Sequence, residues 1–534
     1  MATKPSRIVG DVLRDAAEQH PDTRFVQCGG DWLTYGEVET AACRVAAGLQ
    51  SLGVEKGDRL AVMLPNRIEF IISMFACAKV GAVQVPINTY LRGEFLRHQL
   101  GESQAGVVIS DALGLQQMAP VRAELPELHL AINVDDEDGD AIGLPTTSFT
   151  ELETGGASLK APELRPSDLC NILYTSGTTG PSKGCMLTHG YYTWIPKAFL
   201  QAGWIGEGDT IFGANPLFHA SGQIWIAMAA LTIHGAAVVE PAFSASTFLS
   251  RARETKATTL FGMGAMGMAL LAQPPRDDDR QHSVRQATWV PMTEAVQNAF
   301  LERFGIPVNS ELYGQSECWP ATINPAGGSR KAGAIGRVAP HMEVKIVDDD
   351  DFEVSPGEPG EIVLRTKQPY TMFQGYWNNP EATAHAFRNL WHHTGDNGRF
   401  DEEGNLYFVD RKKDSLRRRG ENVSSIELEQ AILKHPGIGA VAVHAVPSDL
   451  SEDDIKACIV PAERAQLSPE ELFAFFKSSL PYYAIPRYVE LLTELPVNAN
   501  MRVQKFKLRD RGITDETWDF EALGLVVGRH ERRS

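Results

Sequence analysis

Positive charge is scarce in this chain. Its 534 residues carry 50 Lys and Arg against 68 Asp and Glu, a formal net charge of −18. That balance excludes the basic face on which sequence-independent nucleic-acid binding depends. Cysteine is sparse too, with seven placed singly at 28, 43, 77, 170, 185, 318 and 458. No pair has metal-ligand spacing, so neither a structural zinc site nor a disulfide framework is expected, and the setting read is a reducing, cytoplasmic one. Long apolar runs are missing. Residues 261–272 are too short and too interrupted by glycine to span a bilayer. The opening Met-Ala-Thr-Lys-Pro-Ser lacks the apolar centre of a signal peptide. At 43% hydrophobic and 22% charged, the composition leaves a globular protein of more than one domain that acts on small molecules. It sets no oligomeric state.

Residues 59–64, 67–80 and 82–87 read strand, helix, strand, a βαβ unit that implies a parallel sheet with helices on its faces. The alternation returns over 210–240 and 257–303. After about residue 340 the pattern changes: 343–347 and 361–364, separated by acidic and Gly/Pro-rich turns, read as a β hairpin that 405–409 extends. A charge run without helical period, Asp410-Arg-Lys-Lys-Asp-Ser-Leu-Arg-Arg-Arg-Gly420, leads into a compact α+β unit. It reads helix 426–433, strands 440–445 and 456–460, helix 469–479 and strand 488–492.

Chemistry concentrates in Tyr174-Thr-Ser-Gly-Thr-Thr-Gly-Pro-Ser-Lys-Gly184, which directly follows the apolar run Cys170-Asn-Ile-Leu173. Glycines allow positive φ and close approach, so successive N–H groups can converge on an anion. The hydroxyls add donors, and Lys183 adds a mobile point charge suited to phosphate. The segment is built to grip a polyphosphate at the carboxyl end of a strand, where ligands of open α/β sheets gather. It is not the common nucleoside-triphosphate loop, because its lysine follows Pro181-Ser182 and not a glycine.

The segment resembles the phosphate loop of the adenylate-forming superfamily of acyl-CoA synthetases, peptide-synthetase adenylation domains and luciferases. Further motifs follow in order: Asn215-Pro-Leu-Phe-His219, Tyr313-Gly-Gln-Ser-Glu317, Thr394-Gly-Asp396 and Asp410-Arg411. The resemblance implies an α/β protein with a large N-terminal domain, 1–410, of parallel-rich sheets, flanking helices and a β subdomain. A hinge at 411–413, pivoting on Lys413, would lead to a small mobile α+β C-terminal domain, 414–534. It also implies that Thr175, Ser176, Gly177, Thr178, Thr179, Gly180 and Lys183 hold the β- and γ-phosphates of ATP. Glu317 would ligate Mg²⁺, Tyr313 with Gly314, Gln315 and Ser316 would face adenine, and Asp396 and Arg411 would bind ribose. His219 would gate the channel of the acceptor, CoA. Ser316 stands where the family usually has threonine, and keeps its hydroxyl.

One departure bears on chemistry. The family carries a late lysine, in a Gly-Lys-Val-x-Lys-like segment, that bridges the substrate carboxylate and the α-phosphate. Here Asn500-Met-Arg-Val-Gln-Lys-Phe-Lys-Leu-Arg509 places Met501 and Arg502 at the Gly-Lys positions, and Lys505 matches the second lysine. Arginine keeps the charge but is larger and planar. Either Arg502 does the same work, or the activated anion is smaller or differently placed.

The segment 417–425 resembles carnitine- or crotonobetaine-type CoA ligases more than long-chain synthetases. Its three arginines either meet CoA phosphates or are solvated. The substrate pocket is expected to be lined by Trp225, Gly262, Met263, Trp289 and Trp319. Trp289 stands where many relatives have Gly-Gly-Ala-Pro, and there it should shorten the pocket. These tryptophans suit an aromatic acid or a quaternary ammonium. The main expectation is an AMP-forming ligase that joins a small polar or aromatic carboxylate to CoA. One alternative is a diazotase-like ligase activating nitrite for an aromatic amine. The other is an inactive nucleotide-binding protein.

Overall fold

The run Arg59-Leu-Ala-Val-Met63 is apolar past its first residue, as strands covered on both faces are. In the computed structural model it forms strand Arg59–Met63, followed by helix Ile68–Val80 and the parallel strand Val83–Pro86. The structure describes residues 7–135, 142–156, 158–175, 181–328, 330–411, 415–419, 421–448, 453–463, 465–496, 503 and 505–528. Helix Ile68–Val80 is buried continuously from Phe70 to Val80, which requires a helix apolar on every side, and it ends at Gly81 with φ 77°.

This unit belongs to a seven-stranded sheet ordered Thr146–Ser148, Leu130–Asn133, Val107–Ser110, Arg59–Met63, Val83–Pro86, Leu169–Thr175 and Lys183–Thr188. All its pairings are parallel except the last. A second seven-stranded sheet runs Val308–Asn309, Gln286–Val290, Thr259–Met263, Thr210–Gly213, Ala236–Val239, Arg24–Cys28 and Trp32–Thr34, again parallel but for one end. A continuous apolar core containing Phe25, Phe70, Phe75, Tyr191, Tyr192, Trp225 and Phe261 joins the two. The expected hairpin is present: Met342–Val347 pairs antiparallel with Gly360–Thr366 inside a five-stranded sheet that also holds His392–Phe400 and Asn405–Arg411.

The small C-terminal unit opens with the hairpin Ser415–Arg418 and Glu421–Ser424, then helix Ser425–Ile432. Strands Ile438–Pro447 and Asp453–Pro461 follow, with helix Pro469–Ser479 and strand Tyr488–Leu491 completing an α+β layer. Ser468 caps helix Pro469–Ser479 by accepting the Glu471 N–H, and Pro469 sits in its first turn. Lys413 lies outside the described residues. Among the described residues no helix is long and apolar enough to cross a membrane.

Candidate active site

On either side of the Ser/Thr/Gly-rich segment, strands Leu169–Thr175 and Lys183–Thr188 pair antiparallel, with Thr175 and Lys183 opposite each other. Ser176, Gly177, Thr178, Thr179 and Gly180 lie outside the described residues. Lys183 therefore opens a strand, and its position is set by the ladder. Its Nζ stands 4.8 Å from the ring centroid of Tyr376, a favourable place for a cation. The Tyr376 hydroxyl donates to Glu317 Oε1 at 2.8 Å. Burial first, and then the Glu317 charge, keep that phenol protonated far beyond its ordinary range. Lys183, Tyr376 and Glu317 thus form one chain of contacts. Sequence reasoning missed Tyr376, whose signal was the Gly-Tyr-Trp run at 375–377. Cys185 is buried beside this chain, and burial together with Glu317 raises its thiol well above normal, so it fills space and is not a nucleophile.

At the next turn Tyr313 donates its hydroxyl to Asp396 Oδ2 at 2.8 Å, and Gln315 Nε2 donates to the same oxygen at 2.8 Å. Gln315 also reaches the Thr394 carbonyl at 2.9 Å. Asp396 is paired in register with Arg411 on the adjacent strand, so residues read from three separate motifs converge. Gly314 is small for a reason: a Cβ there would come 2.7 Å from the Cys318 carbonyl and 3.0 Å from the Trp319 ring. The Ser316 carbonyl accepts the Tyr191 hydroxyl at 2.7 Å.

Beyond Glu317, Trp319 meets Trp225 edge to face at 5.1 Å, and Trp225 meets Phe261 in the same manner at 6.0 Å. Trp225 lies on a π-helical turn, Gln223–Met228, a rare conformation that recurs at functional sites. Met263 is the last residue of strand Thr259–Met263. Trp289 departs from expectation. Side chains alternate along strand Gln286–Val290, and Trp289 points to the opposite face, fully buried with Phe248 and Phe300 in a separate outer core. Gly262 is its register partner and faces the same ring. Gly262 and Trp289 therefore close that core, and the structure does not bring them to the Trp225–Trp319 corner.

The small domain touches this site directly. His219 Nε2 lies 2.9 Å from the Glu421 carboxylate. Burial opposes charging of the imidazole, but Glu421 outweighs it and the pKa is raised. Arg418, one of the three arginines, is buried and bonded to the Ile485 carbonyl and Asp454; burial, then Arg419, lower it to about 10. It is a structural residue. Arg419 lies 5.5 Å from the Tyr482 ring centroid. Lys505 is held by Ser425 Oγ and Glu429 Oε1, each at 2.8 Å. Arg502 lies outside the described residues.

Comparison with known proteins agrees with this geometry. Residues 13–377 match the family described as AMP-binding enzyme, and 427–502 match the AMP-binding enzyme C-terminal domain. The crotonobetaine/carnitine–CoA ligase of Salmonella agona (strain SL483) is 33% identical over 503 residues, 91% of this chain and 95% of that protein. A double mutant of the Bacillus subtilis o-succinylbenzoate CoA synthetase, bound to a CoA product analogue, superposes with TM-score 0.81 at 26% identity, covering 95% of this chain and 99% of that one. The same enzyme with AMP gives 0.66 at 26% identity, covering 93% and 98%. An anthranilate CoA ligase with anthranoyl-AMP gives 0.71 at 27% identity, covering 94% and 96%. The chain belongs to the family of AMP-binding, adenylate-forming enzymes, and it is an acid–CoA ligase by kind.

Proposed function

We propose that this enzyme activates a small polar or aromatic carboxylate with ATP and passes the acyl group to CoA. The contact chain Lys183–Tyr376–Glu317, set beside the Tyr313–Asp396 pair and the Trp225–Trp319 corner, carries the reading. In the first half-reaction a carboxylate oxygen attacks the α-phosphorus in line, the new O–P bond forms, and pyrophosphate leaves. Such transfers depend on positioning and charge neutralisation. Lys183 would hold the departing phosphates, while Asp396, Tyr313 and Arg411 would fix the nucleoside. In the second half-reaction the thiol sulfur attacks the acyl carbonyl and AMP departs; His219, drawn aside by Glu421, would open the thiol's path.

Glu317, a buried carboxylate, is the residue that would hold Mg²⁺, a hard cation suited to carboxylate oxygen. Among the described residues no trio of His, Cys, Asp or Glu could hold a metal unaided, which suits a cation shared with the nucleotide. When bound, it would neutralise charge on the phosphates.

The small domain, which we place at 414–534 behind a hinge at 411–413, stands as in the acyl-transfer state. In support, the o-succinylbenzoate enzyme superposes better with its CoA product analogue than with AMP. The substrate class draws support from the aromatic corner and from the small acids named for the relatives. All seven cysteines are free thiols, which suits a cytoplasmic setting. Pyrophosphate release with crotonobetaine, carnitine, anthranilate, benzoate, octanoate and palmitate tests the proposal. One of the first four should give the highest kcat/KM; preference for palmitate would overturn the substrate class.

A further inference from the structure

Trp225 reaches its corner from an irregular stretch of helix. The chain after His219 is α-helical over Ala220–Gly222, takes a π-turn over Gln223–Met228 and returns to α over Ala229–Thr232. The Ala229 N–H reaches the Ile224 carbonyl, five residues back. Such a turn holds one residue more than the α-turn it replaces. Its first residue, Gln223, is fully buried, and both ends of its amide are engaged. Oε1 accepts the Tyr192 hydroxyl at 3.0 Å and Asn171 Nδ2 at 3.4 Å, while Nε2 donates to the Leu217 carbonyl at 2.8 Å. Leu217 is held from its other side as well, its N–H donating to Asn66 Oδ1 at 2.8 Å. A Cβ at Gly222 would strike the Pro216 carbonyl, so the loop before His219 and the helix after it are in direct contact.

We propose that Gln223 is a positioning residue whose amide pins the π-turn and thereby sets which acids the Trp225–Trp319 corner accepts. The proposal rests on the reading of that corner as the acid pocket. Stability does not explain the network around Gln223. Asn171 Nδ2 also donates to Gln84 Oε1 at 3.1 Å, yet Gln84 Nε2 and Asn171 Oδ1 find no hydrogen-bond partner among the described residues. Buried polar atoms left so cost free energy, and apolar side chains of the same shape would fill a core as well. What a buried polar network adds is one fixed arrangement. Without that anchor the extra residue can slip and the turn relaxes to α. One residue is about 100° around a helix of 3.6 residues per turn. Met228, Ala229, Ala230 and Leu231 are locked in the main core, so the slip falls on the N-terminal side, where Trp225 sits. Its ring would then leave Phe199, now 5.8 Å away, and Trp319 at 5.1 Å, and the corner would change shape.

Gln223→Met keeps the length of the side chain and removes its hydrogen bonds. The quantity to follow is the ratio of kcat/KM for the best of the six acids to that for the runner-up, measured by pyrophosphate release. Gln223→Met should lower this ratio at least about fivefold, through KM for the better acid, with KM for ATP within about twofold of the wild type. Tyr192→Phe, which removes one of the donors to Gln223, should move the ratio about twofold in the same direction. The double variant should go no further than Gln223→Met alone, because the two changes break one shared bond. A Gln223→Met protein that melts earlier with its ratio unchanged, or whose KM for ATP rises in step with KM for the acid, overturns the proposal. Where Gln223→Met does not fold, Tyr192→Phe carries the test, and an unchanged ratio there overturns it. Trp225→Ala separates the two readings. If it leaves the ratio unchanged, the corner is not the acid pocket; if it moves the ratio while Gln223→Met does not, the role of Gln223 alone falls.

Discussion

Tyr376 shows how a single hydroxyl can tie the lysine proposed for phosphate to the carboxylate proposed for metal. It bonds the Glu317 carboxylate at 2.8 Å while its ring faces Lys183. Tyr376→Phe keeps the ring and removes only that donor. A hydrogen bond to a charged acceptor contributes about 1.5–3 kcal/mol, so pyrophosphate release should fall roughly ten- to hundredfold. Transfer from a preformed adenylate, measured in the same protein, should be spared; equal loss in both half-reactions would assign Tyr376 to folding. Lys505 makes the opposite case. Its ammonium is committed to Ser425 and Glu429 within the small domain, which leaves Arg502 as the candidate cation for adenylation. Arg502→Ala should slow pyrophosphate release by at least about tenfold, and Lys505→Ala should act mainly on thermal stability. A severe adenylation defect in Lys505→Ala alone would exchange those roles. Lys183, Glu317, Tyr313 and Asp396 could be picked out as candidates in the sequence because each sits in a short, chemically dense motif. Tyr376 and Glu421 were not, because their partners are 59 and 202 positions away and only the fold joins them.

Elements built on period-2 or period-3.6 patterns were equally legible: helix Pro469–Ser479 begins and ends where its proline, cap and apolar spacing place it. What the pattern did not reveal was which face a side chain takes in a strand buried on both. Strand Gln286–Val290 is apolar or neutral along most of its length, so its parity is silent in the sequence. The fold settles it by register, setting Trp289 against Gly262 and Phe300 and away from Trp225. The two tryptophan classes should therefore separate by experiment. Trp289→Ala leaves a large cavity in the outer core and should cost about 3–5 kcal/mol of stability, read by denaturant melts, with little change in KM for the acid among molecules that remain folded. Trp319→Ala, at a partly buried corner, should raise KM for the acid several-fold at a smaller stability cost. A KM effect confined to Trp289 would return that residue to the pocket.

The molecule as a whole joins its two domains through a titratable contact, His219–Glu421, and buries a second titratable group, Glu427, on the small domain, and their signs agree. His219 is stabilised as the cation by Glu421, so its pKa is raised. The docking it supports is full below the ordinary histidine value near 6.5 and is lost as pH rises through the raised one. Glu427 docks best as the neutral acid. Its contribution is full below the ordinary carboxyl range near 4.3, declines as pH rises, and is spent above its raised value of about 8. The neighbours do not blur this window. Glu94, held by Arg97 and drawn down to about 2, stays ionised, and burial with the charges of Glu421 and Glu427 keeps the Tyr483 phenol protonated. The docked fraction, measured by interdomain distance, should therefore fall steadily from pH 6 to pH 9. Distance is the right readout, because the rate of transfer also carries the ionisation of the CoA thiol, which rises over the same range and opposes the trend. His219→Asn and Glu427→Gln should each remove part of the decline, and the double variant should be flat. A docked fraction that rises with pH would mean that Glu427 docks as the carboxylate, its charge stabilised by its neighbours more than burial opposes it.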